Sequence, residues 1–238
     1  MATIAKSLAV LLFAAMLAGP LAAQEDPGRI EVTTTRILTA DNLSPLERAQ
    51  TLVTRGIARE ALSRPKDAFD DFSYALSLYA LPKAELARAR FNRAVVLEQL
   101  QRLPEALADY TLAINLQRRF AAALNNRANL YRRLGKLSEA TADYEASLAA
   151  GNAQSEYPLY GLGQISEALG KVEAARSFYE KALEANPHYA LAAQRLAVLN
   201  GPAPVQPGPL TPAGLDRGHA RPPPTSDPTK APGWRPAN

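Results

Sequence analysis

Three arginines and three aspartates recur at matched places along this chain: Arg55, Arg93 and Arg127, and Asp71, Asp109 and Asp143. Guanidinium and carboxylate groups at such places support two kinds of chemistry. They pair with each other inside a fold, or the arginines form a ladder for an acidic ligand. Where a fourth pair would fall, both places turn apolar together, to Leu162 and Phe178. Coordinated change within one chain points to direct contact, so the pattern predicts three arginine–aspartate pairs and one apolar pair. Pairs of this kind fix register more than they add stability, because desolvation offsets much of the attraction. The ladder reading is the weaker one, since each arginine already has its carboxylate.

No catalytic constellation accompanies them. His188 and His219 have no carboxylate or second histidine at ligand spacing, so no metal is expected. Asp70 and Asp71 are adjacent, but neighbours on a helix point in different directions. The chain has no cysteine, which removes disulfides, thiolate metal sites and cysteine nucleophiles. It also lacks a phosphate loop and a nucleophile elbow. No enzyme activity and no cofactor are therefore expected. A net charge of +4 is mild, and Arg and Glu are interspersed along the chain. That describes solvated helix faces and not the clustered basic stripe of a nucleic-acid binder, so no nucleic acid is expected as a partner.

The elements that must position these residues are short amphipathic helices. From Ala121 to Gln154 two such patterns are split by Leu134-Gly135-Lys136, with small residues at Ala128, Ala140 and Ser147 and an aromatic at Tyr144. Shifted back 34 residues, the pattern recurs as Ala94, Ala106, Tyr110 and Ala113; shifted forward 35, as Gly163, Ala175, Tyr179 and Ala182. A fourth copy has Gly56, Ala68, Phe72 and Ala75. The small residues let paired helices approach, and the aromatics fill the gap beside them as core. A period of this length marks an array of helical repeats.

Over residues 44–200 the chain resembles the tetratricopeptide repeat (TPR) family. The expected fold is all-α, a right-handed solenoid of four helix-turn-helix repeats (49–82, 87–120, 121–154 and 156–189). A capping helix at 190–200 would cover the last apolar face. Ser44, Pro45 and Glu47 supply a capping box at the start. Extra residues at Lys83–Leu86 and Ser155 are expected in turns between repeats.

The flanks read differently. Residues 1–23 form a secretory signal peptide, with Lys6 ahead of the apolar run Leu8–Gly19, and Leu21-Ala22-Ala23 before the cut. Twelve or so apolar residues fall short of the about 20 that span a bilayer, so no integral span is expected after cleavage. A periplasmic or secreted location follows. Residues 24–43 are expected to be an extended leader, because Ile30–Leu38 is rich in β-branched residues. Either the leader is loose, or Ile30, Val32, Ile37 and Leu38 dock into the array's own groove. Eleven of the 38 residues in 201–238 are proline, which predicts a disordered tail of polyproline II character. It is a spacer, or a means of recruitment to peptidoglycan or a membrane surface. Trp234 near its end is an anchor or an incidental exposed residue.

The resemblance implies a concave groove lined by the first helices. Place by place it would hold Val53, Ile57, Arg88, Phe91, Val95 and Gln99 in the first two repeats. Asn125, Asn129, Arg132 and Arg133 follow in the third, then Tyr157, Tyr160 and Gln164 in the fourth. The lysine-and-asparagine clamp of some family members is not matched, since its places hold Val53, Ile57, Phe91 and Val95. Two functions follow. One is a non-catalytic adaptor of the bacterial envelope that holds an extended protein or peptide segment. The other is a structural subunit that associates, with itself or another protein, through its convex face, cap or tail.

Overall fold

The computed structural model describes residues 26–201. The expected signal peptide and residues 202–238 of the tail lie outside the described residues. Ten helices follow in order: α1 (Pro27–Leu38), α2 (Pro45–Ala61), α3 (Pro65–Ser77), α4 (Lys83–Gln99), α5 (Leu103–Leu116), α6 (Ala121–Arg133), α7 (Leu137–Ala149), α8 (Glu156–Ala168), α9 (Val172–Ala185) and α10 (Ala190–Asn200). The pairs α2–α3, α4–α5, α6–α7 and α8–α9 are the four expected repeats, and each packs on the next. First helices also meet across repeats, α2 with α4 and α6 with α8, whereas no two second helices approach as closely. The right-handed solenoid therefore curves with its first helices inside. No described helix is long and apolar enough to cross a membrane.

Close approach within each pair rests on the small places. A Cβ added at Gly56 would lie 2.7 Å from the Phe72 ring, and one at Gly163 would lie 2.4 Å from Tyr179. Ala94 and Ala128 take the same place in the middle repeats and are fully buried, as are Phe72, Tyr110, Tyr144 and Tyr179. At the far end α10 acts as the expected cap. Its Ala192 is buried with Ala175, Tyr179 and Ala182, and Leu196 and Leu199 pack on the same cluster.

Each hairpin turns on one left-handed residue: Ser63 (φ 58°), Gln101 (φ 59°), Gly135 (φ 74°) and Gly170 (φ 70°). The following N–H returns to a carbonyl of the preceding helix, from Arg64 to Arg59, Arg102 to Leu97, Lys136 to Tyr131 and Lys171 to Ser166, at 2.8–2.9 Å. Only glycine accepts this conformation without a Cβ clash. Ser63→Gly and Gln101→Gly should each raise stability by about 0.5–1 kcal/mol, the relief of left-handed strain less the entropy glycine adds to the unfolded chain. Urea unfolding midpoints check this, and a drop in either variant contradicts it.

Two expectations are corrected. Residues 27–38 are not extended but helical. Asp26 caps α1 by accepting from the Gly28 N–H at 3.0 Å, Pro27 starts it, and Arg36 lies in its last turn. The β-branched Thr34 is accommodated by donating its hydroxyl to the Ile30 carbonyl at 2.7 Å. Ile30, Thr34 and Ile37 are buried on one face while Val32 is exposed, a helical spacing that tertiary packing enforces over weak local propensity. Helix α1 packs on α2 as α3 packs on α4. It thus takes the place of a second helix and extends the array at its N-terminal end among the described residues. The second correction concerns Lys83–Leu86. These residues form the first turn of α4 and bring Leu86 against the core of the first repeat.

Candidate protein-binding groove

The three arginine–aspartate pairs form as expected, each between the two helices of one repeat and each sixteen residues apart. Arg55 grips Asp71 through Nε (2.9 Å) and Nη2 (2.6 Å). Arg93 does the same to Asp109 at 2.6 and 3.0 Å, and Arg127 to Asp143 at 2.7 and 2.8 Å. Leu162 and Phe178 share one apolar cluster in the fourth repeat. A further contact was not legible in advance. Each arginine also donates Nη1 to a hydroxyl of the preceding second helix: Arg55 to Thr35, Arg93 to Ser73 and Arg127 to Thr111. One side chain therefore ties three helices, and these arginines are spent on architecture.

The inner face is built from other places of the first helices. At the N-terminal end Ile57, Phe91 and Val95 line a cleft of about 190 Å³ with Glu60, Phe72 and Asn92. Phe91 is half-buried, held at 5.0 Å from the Phe120 ring and 5.9 Å from Tyr110. At the C-terminal end Arg132, Tyr160 and Gln164 line a larger pocket of about 520 Å³ with Glu167, Ala168 and Arg195. Tyr157 is 43% exposed and meets Tyr189 edge-on, and Arg88 is exposed.

Several expected groove residues stand differently. Val53 belongs to the first core cluster and is only 4% exposed, so it presents nothing to a ligand. The extra turn of α4 brings Leu86 against the same cluster. Asn125 is also buried, its Nδ2 donating to Asn126 Oδ1 at 3.3 Å. Arg133 is exposed, but its guanidinium holds Glu98 at 2.7 Å instead of standing open for a ligand carboxylate. Gln99 donates to Glu60 at 2.7 Å.

Those partners belong to a row that sequence reasoning missed. Glu60, Glu98, Arg132 and Glu167 occupy one place in the four first helices, and the repeat spacing was the signal that could have found them. The row receives the hydroxyls of the core aromatics. Tyr110 donates to Glu98 at 2.7 Å and Tyr179 to Glu167 at 2.9 Å, while Tyr144 donates to Asn129 at 2.6 Å. Burial pushes the Tyr144 phenol up, and it pushes Tyr179 up to about 12. These phenols stay protonated and act as donors that fix the inner-face acceptors in place.

Residues 125–190 match the family model of the tetratricopeptide repeat. No curated protein sequence matches. Among solved structures, a tetratricopeptide repeat protein from Parabacteroides merdae ATCC 43184 aligns with a TM-score of 0.64 at 18% identity, over 82% of this chain and 72% of its own. YrrB, a TPR protein with an unusual peptide-binding site, aligns with a TM-score of 0.58 at 19% identity, over 74% of this chain and 86% of its own. MamA aligns with a TM-score of 0.58 at 20% identity, over 68% and 89%. At such identities the structures speak for the fold, and the matched family model speaks for the sequence. Together with the periodic small, aromatic and hairpin places, they show the tetratricopeptide repeat fold, with the family's sequence signature at residues 125–190.

Proposed function

We propose that this protein is a non-catalytic interaction scaffold of the bacterial cell envelope, exported by residues 1–23 and holding an extended partner segment along its concave face. The observation that carries the reading is the inner face itself. Two separate recesses, one apolar at Ile57, Phe91 and Val95 and one polar at Arg132, Tyr160 and Gln164, lie on successive first helices. A helix-lined groove with an apolar anchor point and convergent polar groups suits a peptide. YrrB, of the same fold, is a peptide binder by its own description, which supports the reading.

Crosslinking mass spectrometry on envelopes compares the wild type with Arg88→Ala/Asn129→Ala/Gln164→Ala, which changes one accessible groove residue in each of three repeats. Selective loss of partners crosslinked along the first helices is the expected result. An unchanged partner list refutes the groove. It would favour a second reading, association through the outer face, for which there is one specific observation. Tyr74 (51% exposed) and Leu112 (43% exposed) occupy the same place in α3 and α5, with Tyr79 almost fully exposed in the loop after α3.

A further inference from the structure

We propose that the pocket between α6, α8 and α10 is a carboxylate-binding subsite anchored by Arg132; this rests on the groove reading above and deepens it.

In three of the four repeats the charge of the inner row is ion-paired or hydrogen-bonded within the fold. Glu98 is matched by Arg133, and Glu167 by Arg195 from the cap, whose Nε donates to it at 3.1 Å. Glu60 takes the Gln99 amide. Arg132 sits at the place where the other three repeats carry glutamate, and it makes no ion pair among the described residues. Its one hydrogen bond runs from Nε to the Tyr144 hydroxyl at a long 3.4 Å. Both terminal nitrogens of a half-buried guanidinium are left without protein acceptors, in the fork geometry that takes a carboxylate in two parallel bonds.

The remaining walls fit the same ligand. Tyr160 is held edge-on by Tyr189 at 5.4 Å, and its ring meets Tyr179 at 5.5 Å, so its hydroxyl is fixed in position. That hydroxyl accepts from Gln164 Nε2 at 3.2 Å, which leaves its own proton to donate into the pocket. Glu167 would repel an anion, but Arg195 pairs with it and the Tyr179 hydroxyl donates to it. With two arginines and one glutamate the lining carries a surplus positive charge. A volume of about 520 Å³ admits an acidic side chain or a chain terminus. The geometry is specific to the C-terminal end, since no cation lines the cleft at Ile57, Phe91 and Val95.

The ligand chemistry is a carboxylate on an extended chain, which has two sources: an acidic side chain or the free α-carboxylate. The test uses the full chain and three alanine-based tetrapeptides at millimolar concentration. One has a free C-terminus, one has an internal aspartate and an amidated end, and one carries asparagine instead with the same amide. The readout is the Nε–H resonance of Arg132 in NMR titrations. One or both carboxylate peptides should shift it saturably and the asparagine peptide should not, and the stronger of the two identifies the source. Arg132→Gln should weaken the bound peptide by about tenfold or more. Tyr160→Phe, which keeps the ring and removes only the hydroxyl, should weaken it by a few fold. Carboxylate binding that survives Arg132→Gln overturns the subsite, as does equal binding of the asparagine peptide. Either result leaves the groove reading intact if binding still falls in the Asn129→Ala/Gln164→Ala background. Loss of neither binding nor crosslinked partners in that background refutes the groove itself.

Discussion

Asp109→Ala is expected to lose about 3–5 kcal/mol of stability, more than a variant that removes both members of its pair. Asp109 is 2% exposed and accepts from Arg93 twice and from Arg90 at 2.9 Å. Its removal takes both carboxylate bonds from the half-buried Arg93 guanidinium and leaves it the Ser73 hydroxyl as its side-chain partner. Arg93→Leu/Asp109→Phe removes the stranded charge with its partner and substitutes the apolar pair that the fourth repeat already carries as Leu162 and Phe178. Arg90 is more exposed than Arg93 and can turn to solvent. Urea titrations followed by far-ultraviolet circular dichroism measure both variants. An equal loss in the two would mean that the pairing contributes nothing beyond filling space.

The second large effect lies at the junction of the third and fourth repeats. Tyr144→Ala should cost about 3–5 kcal/mol by emptying a fully buried aromatic site. Gly161→Ala should cost about 1–3 kcal/mol by overpacking the same site, because an added Cβ would lie 2.2 Å from Tyr144 Cζ. The two changes compensate sterically, so the double variant should be more stable than the sum of single losses implies. Calorimetry on the four proteins of this cycle tests it. Strict additivity would show that the close approach of α7 to α8 is relieved elsewhere.

What was legible in the sequence follows from what periodicity encodes. Ala68, Phe72 and Asp71 recur at repeat spacing because each repeat solves the same packing problem, so both core and pairing could be read without coordinates. Helix α1 was not legible. Its second-helix register relative to α3 is carried by Ile30, Thr34 and Ile37, where the later repeats have a small residue, an aromatic and a small residue, and β-branched residues argue locally for extended chain. Thr35 identifies the register, because Arg55 reaches it as Arg93 reaches Ser73, but that equivalence depends on a three-helix contact. The groove was legible as a set of places and less so as a set of available groups. Sequence places Arg133 and Arg132 side by side. Only the fold separates them, through Glu98 arriving from the preceding repeat.

The arginine bridges have a mechanical consequence. Three successive junctions, α1–α2, α3–α4 and α5–α6, are cross-tied by a guanidinium that engages both neighbours. At α7–α8 the equivalent position is Leu162, which has no donor, and the junction is held by packing, with Gly161 set closely against the Tyr144 ring. Directional ties thus mark the first three junctions and close packing marks the fourth, and the Arg132 pocket is lined from both sides of that fourth junction.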